Sequence, residues 1–272
     1  MKKAIALLLT VTLMFGLTAC GAKEEAAEAV ADGDAKTFTV GFDAEFPPYG
    51  YMDENGEYVG FDLSLAEEVC KRQGWTLVKQ PIDWDSKDME LNSGNIDCIW
   101  NGFTMNGRED DYTFSVPYVD NSQVIVVSET SGITTFADLA GKTVGVQAAS
   151  AALSLLQSEE EGGQKALADT FAALNEFADY NTAFTELQAG ALDALAIDIG
   201  VAKYQLNSRG EGFMILDETL NTEQYAIGFR KTDGQELCDT VNAALQELAN
   251  NGTVAELAEK YEIADMVTLK AE

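Results

Sequence analysis

A pattern of ten residues recurs in this chain with four positions identical. Glu90 to Ile99 reads ELNSGNIDCI and Glu186 to Leu195 reads ELQAGALDAL, aligned without a gap at an offset of 96, with glutamate, leucine, glycine and aspartate at matching places. Each copy reads as the end of a helix, a glycine suited to the left-handed position just past it (Gly94, Gly190), and a short apolar strand. A second echo supports the first: Thr39-Val40-Gly41-Phe42-Asp43-Ala44 matches Thr143-Val144-Gly145-Val146-Gln147-Ala148, a strand running into polar residues. Two similar α/β units follow, the competing reading being one α/β domain with a coincidental likeness.

Helical patterns lie between the echoes: Leu63 to Gln73, stopped by Gly74, then Ala151 to Leu156 and Ala166 to Phe177. Strands alternating with helices predict parallel sheets. Gln123 to Val127 (QVIVV) leaves the first half and Tyr225 to Phe229 (YAIGF) returns to it, two crossings that would form a hinge. Apolar residues at helical spacing from Leu237 to Ile263 predict a C-terminal helical stretch packed back on a lobe.

The 272 residues carry 46 acids against 17 bases, a net charge of −29, and no histidine. Such a field repels nucleic acid, and no basic run makes a local exception. Without histidine the commonest general base, the commonest transition-metal ligand and every histidine-dependent triad are missing. No cofactor and no metal site are expected.

Residues 1 to 19 begin with two lysines, continue as an apolar run from Ala4 to Leu17 and end in small residues, the pattern of a secretory signal rather than a fold element. Leu17-Thr18-Ala19-Cys20-Gly21 resembles the lipobox of bacterial lipoproteins, in which the cysteine is lipidated and becomes the first mature residue. The other reading is an ordinary cleavage site with an incidental cysteine. Residues 21 to 36 are alanine, glycine and charge with the single apolar Val30, so that 20–36 reads as a flexible acidic spacer after Cys20. Cys70, Cys98 and Cys238 lack metal or redox spacing and read as buried free thiols, the alternative being a disulfide that an exported location permits and the sequence does not pair.

In open α/β sheets a ligand sits beyond the carboxyl ends of the strands, where the connectivity reverses. Here those residues are Asp43 to Phe46, Asn101 to Thr104, Gln147 to Ser150, and Asp198. Arg108 follows a glycine-rich polar segment and suits a carboxylate, though on local sequence alone a surface ion pair with Glu109, Asp110 or Asp111 is the better reading. Asp198 ends an apolar strand, where it would need a cation such as a ligand ammonium or would serve as a helix N-cap. Ser150 reads as an N-cap whose helix aims its free amides into the cleft. Phe46, Tyr49, Tyr51 and Trp84 are aromatics near strand ends, suited to stacking a ligand or simply to the core.

GFDAEFPPYGYMDENGEYVGFDLSLAEEV, then Asn101-Gly102-Phe103-Thr104 with Arg108, Phe114-Ser115-Val116-Pro117-Tyr118, Gly141-Lys142-Thr143-Val144-Gly145-Val146 and Leu187-Gln188-Ala189-Gly190-Ala191-Leu192-Asp193-Ala194 together resemble solute-binding protein family 3. These are extracytoplasmic receptors of polar amino acid ABC importers. The resemblance covers about residues 37 to 265 and implies the type II periplasmic-binding-protein fold: two Rossmann-like α/β lobes joined by two hinge strands around a ligand cleft. It implies lobe 1 from residues 37–124 plus 229–272 and lobe 2 from 125–228. By the same resemblance Arg108 clamps the ligand's α-carboxylate, assisted by Thr104, the backbone near Gly102 and Ser150. Asp198 receives the α-ammonium with Asn101 or Gly102, Phe46 and Trp84 sandwich the side chain, and Asp43 and Gln147 tune specificity.

The chain departs from the family pattern at four points. The segment between Thr104 and Arg108 is one residue short, Ala149 stands where glycine is usual, Ser64 where aspartate is frequent, and Val116 where the FSDPY motif has aspartate. The expected protein is a monomeric lipoprotein tethered through Cys20 to the outer face of the cell membrane. It would hand a free amino acid to a membrane permease without catalysis. The competing reading is an exported dehydratase of the same fold acting on cyclic acids, with Asp43, Glu45 or Asp198 as general acid; a ligand-sensing partner of a receptor is the third.

Overall fold

The computed structural model describes residues 35–272. The signal segment, Cys20 and the spacer as far as residue 34 lie outside them. Among the described residues no helix is long and apolar enough to cross a membrane.

The chain opens with β1 (Thr37–Phe42), a small meander of β2 (Glu45–Phe46), β3 (Gly50–Met52) and β4 (Tyr58–Val59), then α1 (Phe61–Gln73) and β5 (Thr76–Pro81). Next come α2 (Lys87–Ser93), β6 (Cys98–Ile99) and β7 (Tyr112–Phe114). Strand β8 (Val119–Ser128) carries the chain into the second lobe: β9 (Thr143–Gln147), α3 (Ala151–Gln157), α4 (Lys165–Ala168), β10 (Ala173–Phe177), α5 (Tyr180–Ala189), β11 (Ala194–Asp198) and α6 (Ile199–Arg209). The long β12 (Phe213–Tyr225) returns to β13 (Gly228–Arg230), and α7 (Gln235–Asn250) and α8 (Thr253–Lys260) close the fold.

Two five-stranded sheets result, ordered β5-β1-β6-β13-β7 and β10-β9-β11-β8-β12. The first three strands of each are mutually parallel and the last two join antiparallel. Both sheets therefore have one topology, as the internal repeat requires. The two crossings are β8 and β12, paired antiparallel from Val119↔Tyr225 to Ser128↔Phe213.

The repeat has a physical cause. In the first lobe the Thr39 N–H donates to Asp97 Oδ2 at 2.7 Å while the Asp97 N–H donates to the Thr39 carbonyl at 2.8 Å. In the second, Thr143 and Asp193 exchange the same two bonds at 2.8 and 2.9 Å. The echoed threonine and the echoed aspartate clamp the same pair of strands in each lobe. Gly41 and Gly145 are forced by the same packing, since a Cβ would lie 2.3 Å from Ile96 Cδ1 in one lobe and 2.5 Å from Leu192 Cδ1 in the other. Gly94 and Gly190 end α2 and α5 in the left-handed conformation.

One expected element is wrong. Ala166 to Phe177 reads as a helix, but helix α4 spans only Lys165–Ala168 and Ala173–Phe177 forms β10. Leu167, Phe171, Leu174 and Phe177 imitate a helical spacing. Pairing decides the outcome, because β10 lies along β9 from Ala173↔Thr143 to Phe177↔Gln147 and satisfies that strand's edge. Cys70, Cys98 and Cys238 are buried free thiols.

Candidate functional site

The carboxyl ends of β1, β6, β9 and β11 converge between the lobes. Phe46, Trp84, Gly102, Thr104, Arg108, Gln147, Ser150 and Asp198 line one small, nearly filled cavity there, joined by Ala151. Asp43 and Asn101 stand behind this wall: the Asp43 N–H donates to Asn101 Oδ1 at 3.0 Å, and Asp43 lines an adjoining pocket with Trp84 and the acids Glu45, Asp83, Glu90 and Asp179.

Arg108 reaches the cavity despite the shortened segment. Its Nη1 donates to the Thr104 carbonyl at 3.1 Å and its guanidinium lies 4.9 Å from the Phe103 ring centre. Among the described residues it pairs with no carboxylate, so Glu109, Asp110 and Asp111 leave it free for a ligand. The Gly102 N–H is not free, however; it donates to Asp62 Oδ2 at 2.6 Å, and the Tyr118 hydroxyl donates to the same oxygen at 2.7 Å. Asp62, in the first turn of α1, thus sets the height of the 101–104 loop. Glycine is required at 102, where φ is +56° and an added Cβ would lie 2.9 Å from ring carbons of both Phe46 and Tyr225.

Asp198 occupies the N-cap position of α6 yet caps nothing. Its Oδ1 instead accepts from Gln123 Nε2 at 2.6 Å, Tyr225 Oη at 2.6 Å and Asn121 Nδ2 at 2.8 Å. Ser150 does cap α3, its hydroxyl accepting the Leu153 N–H at 3.1 Å. Thr104 turns its hydroxyl to Glu223 Oε1 at 2.7 Å. Trp84 meets Phe103 edge-on at 5.8 Å, and Phe46 tilts against Tyr180 at 6.0 Å.

Two bonds tie the lobes across the cavity. Gln147 Nε2 donates to Asp43 Oδ2 at 2.6 Å, and Lys87 Nζ donates to the Ala149 carbonyl at 3.2 Å. Ala149 holds a φ of +53°, a conformation that glycine adopts without strain, and so presents its carbonyl where Lys87 can meet it. Lys87 escapes notice in the sequence because it reads as a solvated helix residue. Burial, then the charge of Arg108, holds its ammonium down to about 8. Lys87→Met is expected to weaken ligand affinity roughly tenfold in a calorimetric titration, the order of one hydrogen bond to a charged group, with little change in unfolding temperature.

Burial is the largest influence on three acids here. It pushes Asp43 up to about 6, Asp62 up to about 7 and Asp198 up to about 7. The folded protein therefore keeps protons that the unfolded chain loses above about pH 4, so stability falls as pH rises through the interval from 4 to 7. Each group contributes up to about 1.4 kcal/mol per pH unit within that interval. The ligand-free protein is expected to unfold roughly 5 °C or more higher at pH 5 than at pH 8, measured by thermal denaturation.

Residues 38–264 match the family model for bacterial extracellular solute-binding proteins, family 3. The arginine-binding extracellular protein ArtP of Bacillus subtilis (strain 168) is 31% identical over 264 residues, covering 96% of this chain and 98% of that one. A substrate-binding protein of an ABC uptake transporter from Streptococcus pneumoniae, solved with bound histidine, superposes with a TM-score of 0.80 at 36% identity, over 85% of this chain and 94% of its own. The ancestral amino acid-binding protein AncCDT-1, described as a precursor of cyclohexadienyl dehydratase, gives 0.74 at 29% identity, over 83% and 95%.

Proposed function

Because the chain belongs to the bacterial extracellular solute-binding proteins, family 3, we propose that it captures one free amino acid between its lobes and delivers it to an ABC permease. The observation that carries the reading is that Arg108, from the first lobe, and Asp198, from the second, line the same small cavity with Phe46 and Trp84. A guanidinium takes the α-carboxylate by two parallel bonds and a carboxylate takes the α-ammonium, so a zwitterion satisfies both lobes at once. Thr104 and Ser150 assist at the carboxylate, Asn101 or Gly102 shares the ammonium with Asp198, and Gln147, with Asp43 behind it, tunes specificity for the ligand side chain. The protein works as a monomer, lipidated at Cys20 after loss of residues 1–19, with residues 20–36 as its tether. Lobe 1 comprises 37–124 and 229–272, and lobe 2 comprises 125–228. No bond is made or broken.

Thermal unfolding of the purified protein, freed of carried-over ligand by unfolding and refolding, tests this against each common amino acid. A ligand at a thousandfold its dissociation constant adds about 4 kcal/mol, roughly 8 to 16 °C at this size. A shift of that order for one or a few amino acids supports the receptor; no shift with any rejects it. The likeness to AncCDT-1 gives the dehydratase reading its own arm, turnover of cyclic carboxylic acids.

A further inference from the structure

Glu223 lies outside every motif legible in the sequence, yet its carboxylate is bound into the candidate site. It sits near the end of β12, 5% exposed, and its Oε1 accepts from Thr104 Oγ1 at 2.7 Å, Asn121 Nδ2 at 2.8 Å and Gln123 Nε2 at 2.8 Å. The same two amide groups also donate to Asp198, itself 4% exposed. Two buried carboxylates thus share two donors on β8, and among the described residues neither has a cation for a partner.

The groups around the pair leave it uncompensated. Tyr225 on β12 donates to Asp198, and Tyr180 on α5 lies 3.5 Å from its other oxygen. Tyr49, with Asp62 beyond it, faces it from the first lobe, and burial and these acids hold the Tyr49, Tyr180 and Tyr225 phenols protonated. On the outer side of Glu223 the pocket holds Asp120, Asp265 and Lys203, and the Lys203 ammonium is engaged by Asp265 at 3.0 Å. Arg108 lines the cavity that Asp198 lines, and it is placed for the opposite end of a zwitterion. Two carboxylates so close and so dry do not both ionise cheaply.

We propose that Glu223 is a second acidic determinant of the ammonium subsite: with Asp198 it forms a carboxylate pair that retains one proton, and capture of an α-ammonium at Asp198 expels that proton to solvent. The inference rests on the receptor reading above. The exchange balances, since the pair passes from one negative charge to two, the ammonium keeps its three protons, and the released proton goes to buffer. The net charge of the subsite is the same before and after. Burial, then the negative charge of Glu223, pushes Asp198 up to about 7, which puts the exchange in the neutral range. The linkage has one sign: affinity rises with pH through this range, because only the deprotonated Asp198 receives the ammonium.

Calorimetric titration at pH 7 in buffers of different ionisation heat counts the protons released. The first probes are L-arginine and L-glutamine, followed by whichever amino acid gives the largest thermal shift. Wild type is expected to release about half a proton per ligand at pH 7 and nearly one at pH 6, with affinity falling up to tenfold per pH unit below 7. Glu223→Gln removes the repulsion and leaves the burial, so release at pH 7 falls below that of wild type and the pH below which affinity declines moves down. Tight binding by wild type without proton release at pH 6 to 7 overturns the inference alone, and needs no variant to be folded. Wild-type release in Glu223→Gln also overturns it, assigning the proton to the burial of Asp198 alone or to another group such as Asp43. Failure of wild type to bind any amino acid overturns the receptor reading together with it.

Discussion

Arg108→Ala is expected to abolish amino acid binding, lowering affinity at least about a thousandfold, the order of 4 kcal/mol. The size follows from what the arginine lacks. It has no carboxylate partner among the described residues, and the one hydrogen bond its side chain donates to them goes to the Thr104 carbonyl at 3.1 Å. Removing it therefore costs the fold little and leaves a ligand carboxylate buried without a cation, which is the expensive outcome. Arg108→Lys restores the charge but not the planar fork and is expected to recover only part of the affinity. Unfolding temperature without ligand should stay within a few degrees of wild type, and that comparison separates a binding defect from a folding defect.

Gly60→Ala is expected to destabilise the protein by several kcal/mol and to lower the unfolding temperature by about 10 °C or more. Gly60 precedes α1 with a φ of +140°, and an added Cβ would lie 2.1 Å from the Tyr49 carbonyl oxygen. That oxygen is backbone, and it also accepts the Asp62 N–H at 3.1 Å, so it cannot yield without disturbing the start of the helix. Disturbance there travels into the site by a short route, because Asp62 holds the Gly102 N–H. Thermal denaturation measures the loss, and amino acid affinity should weaken with it.

Much of this fold is legible because the sequence says it twice. The ELNSGNIDCI and ELQAGALDAL segments carry helix end, glycine and strand in order, and the aspartate of each ties its strand to the matching threonine. The cleft follows from those strand ends, so Arg108, Ser150, Asp198 and Thr104 are found where topology brings strand ends together. Tertiary pairing is where legibility fails: Ala173–Phe177 looks helical until β9 offers it an edge. Long-range partners are equally hidden. Asn121, Gln123 and Glu223 occupy alternating positions on two long strands, and nothing near them in sequence marks them as facing Asp198. Asp62 resembles an ordinary acid in a helix's first turn, whereas its carboxylate is fully buried beneath Gly102.

The central claim is that one zwitterion is held at both poles, its carboxylate by Arg108 of the first lobe and its ammonium by Asp198 of the second. Calorimetric titration of the purified protein with its best amino acid, with the α-carboxamide of that amino acid and with its des-amino acid tests both poles in one series. Each analogue removes one charge and leaves a buried partner unpaired, so both are expected to bind at least about a hundredfold more weakly. Affinity of either analogue within about threefold of the parent, a difference near 0.7 kcal/mol, would contradict the account, because that pole would then contribute nothing to capture.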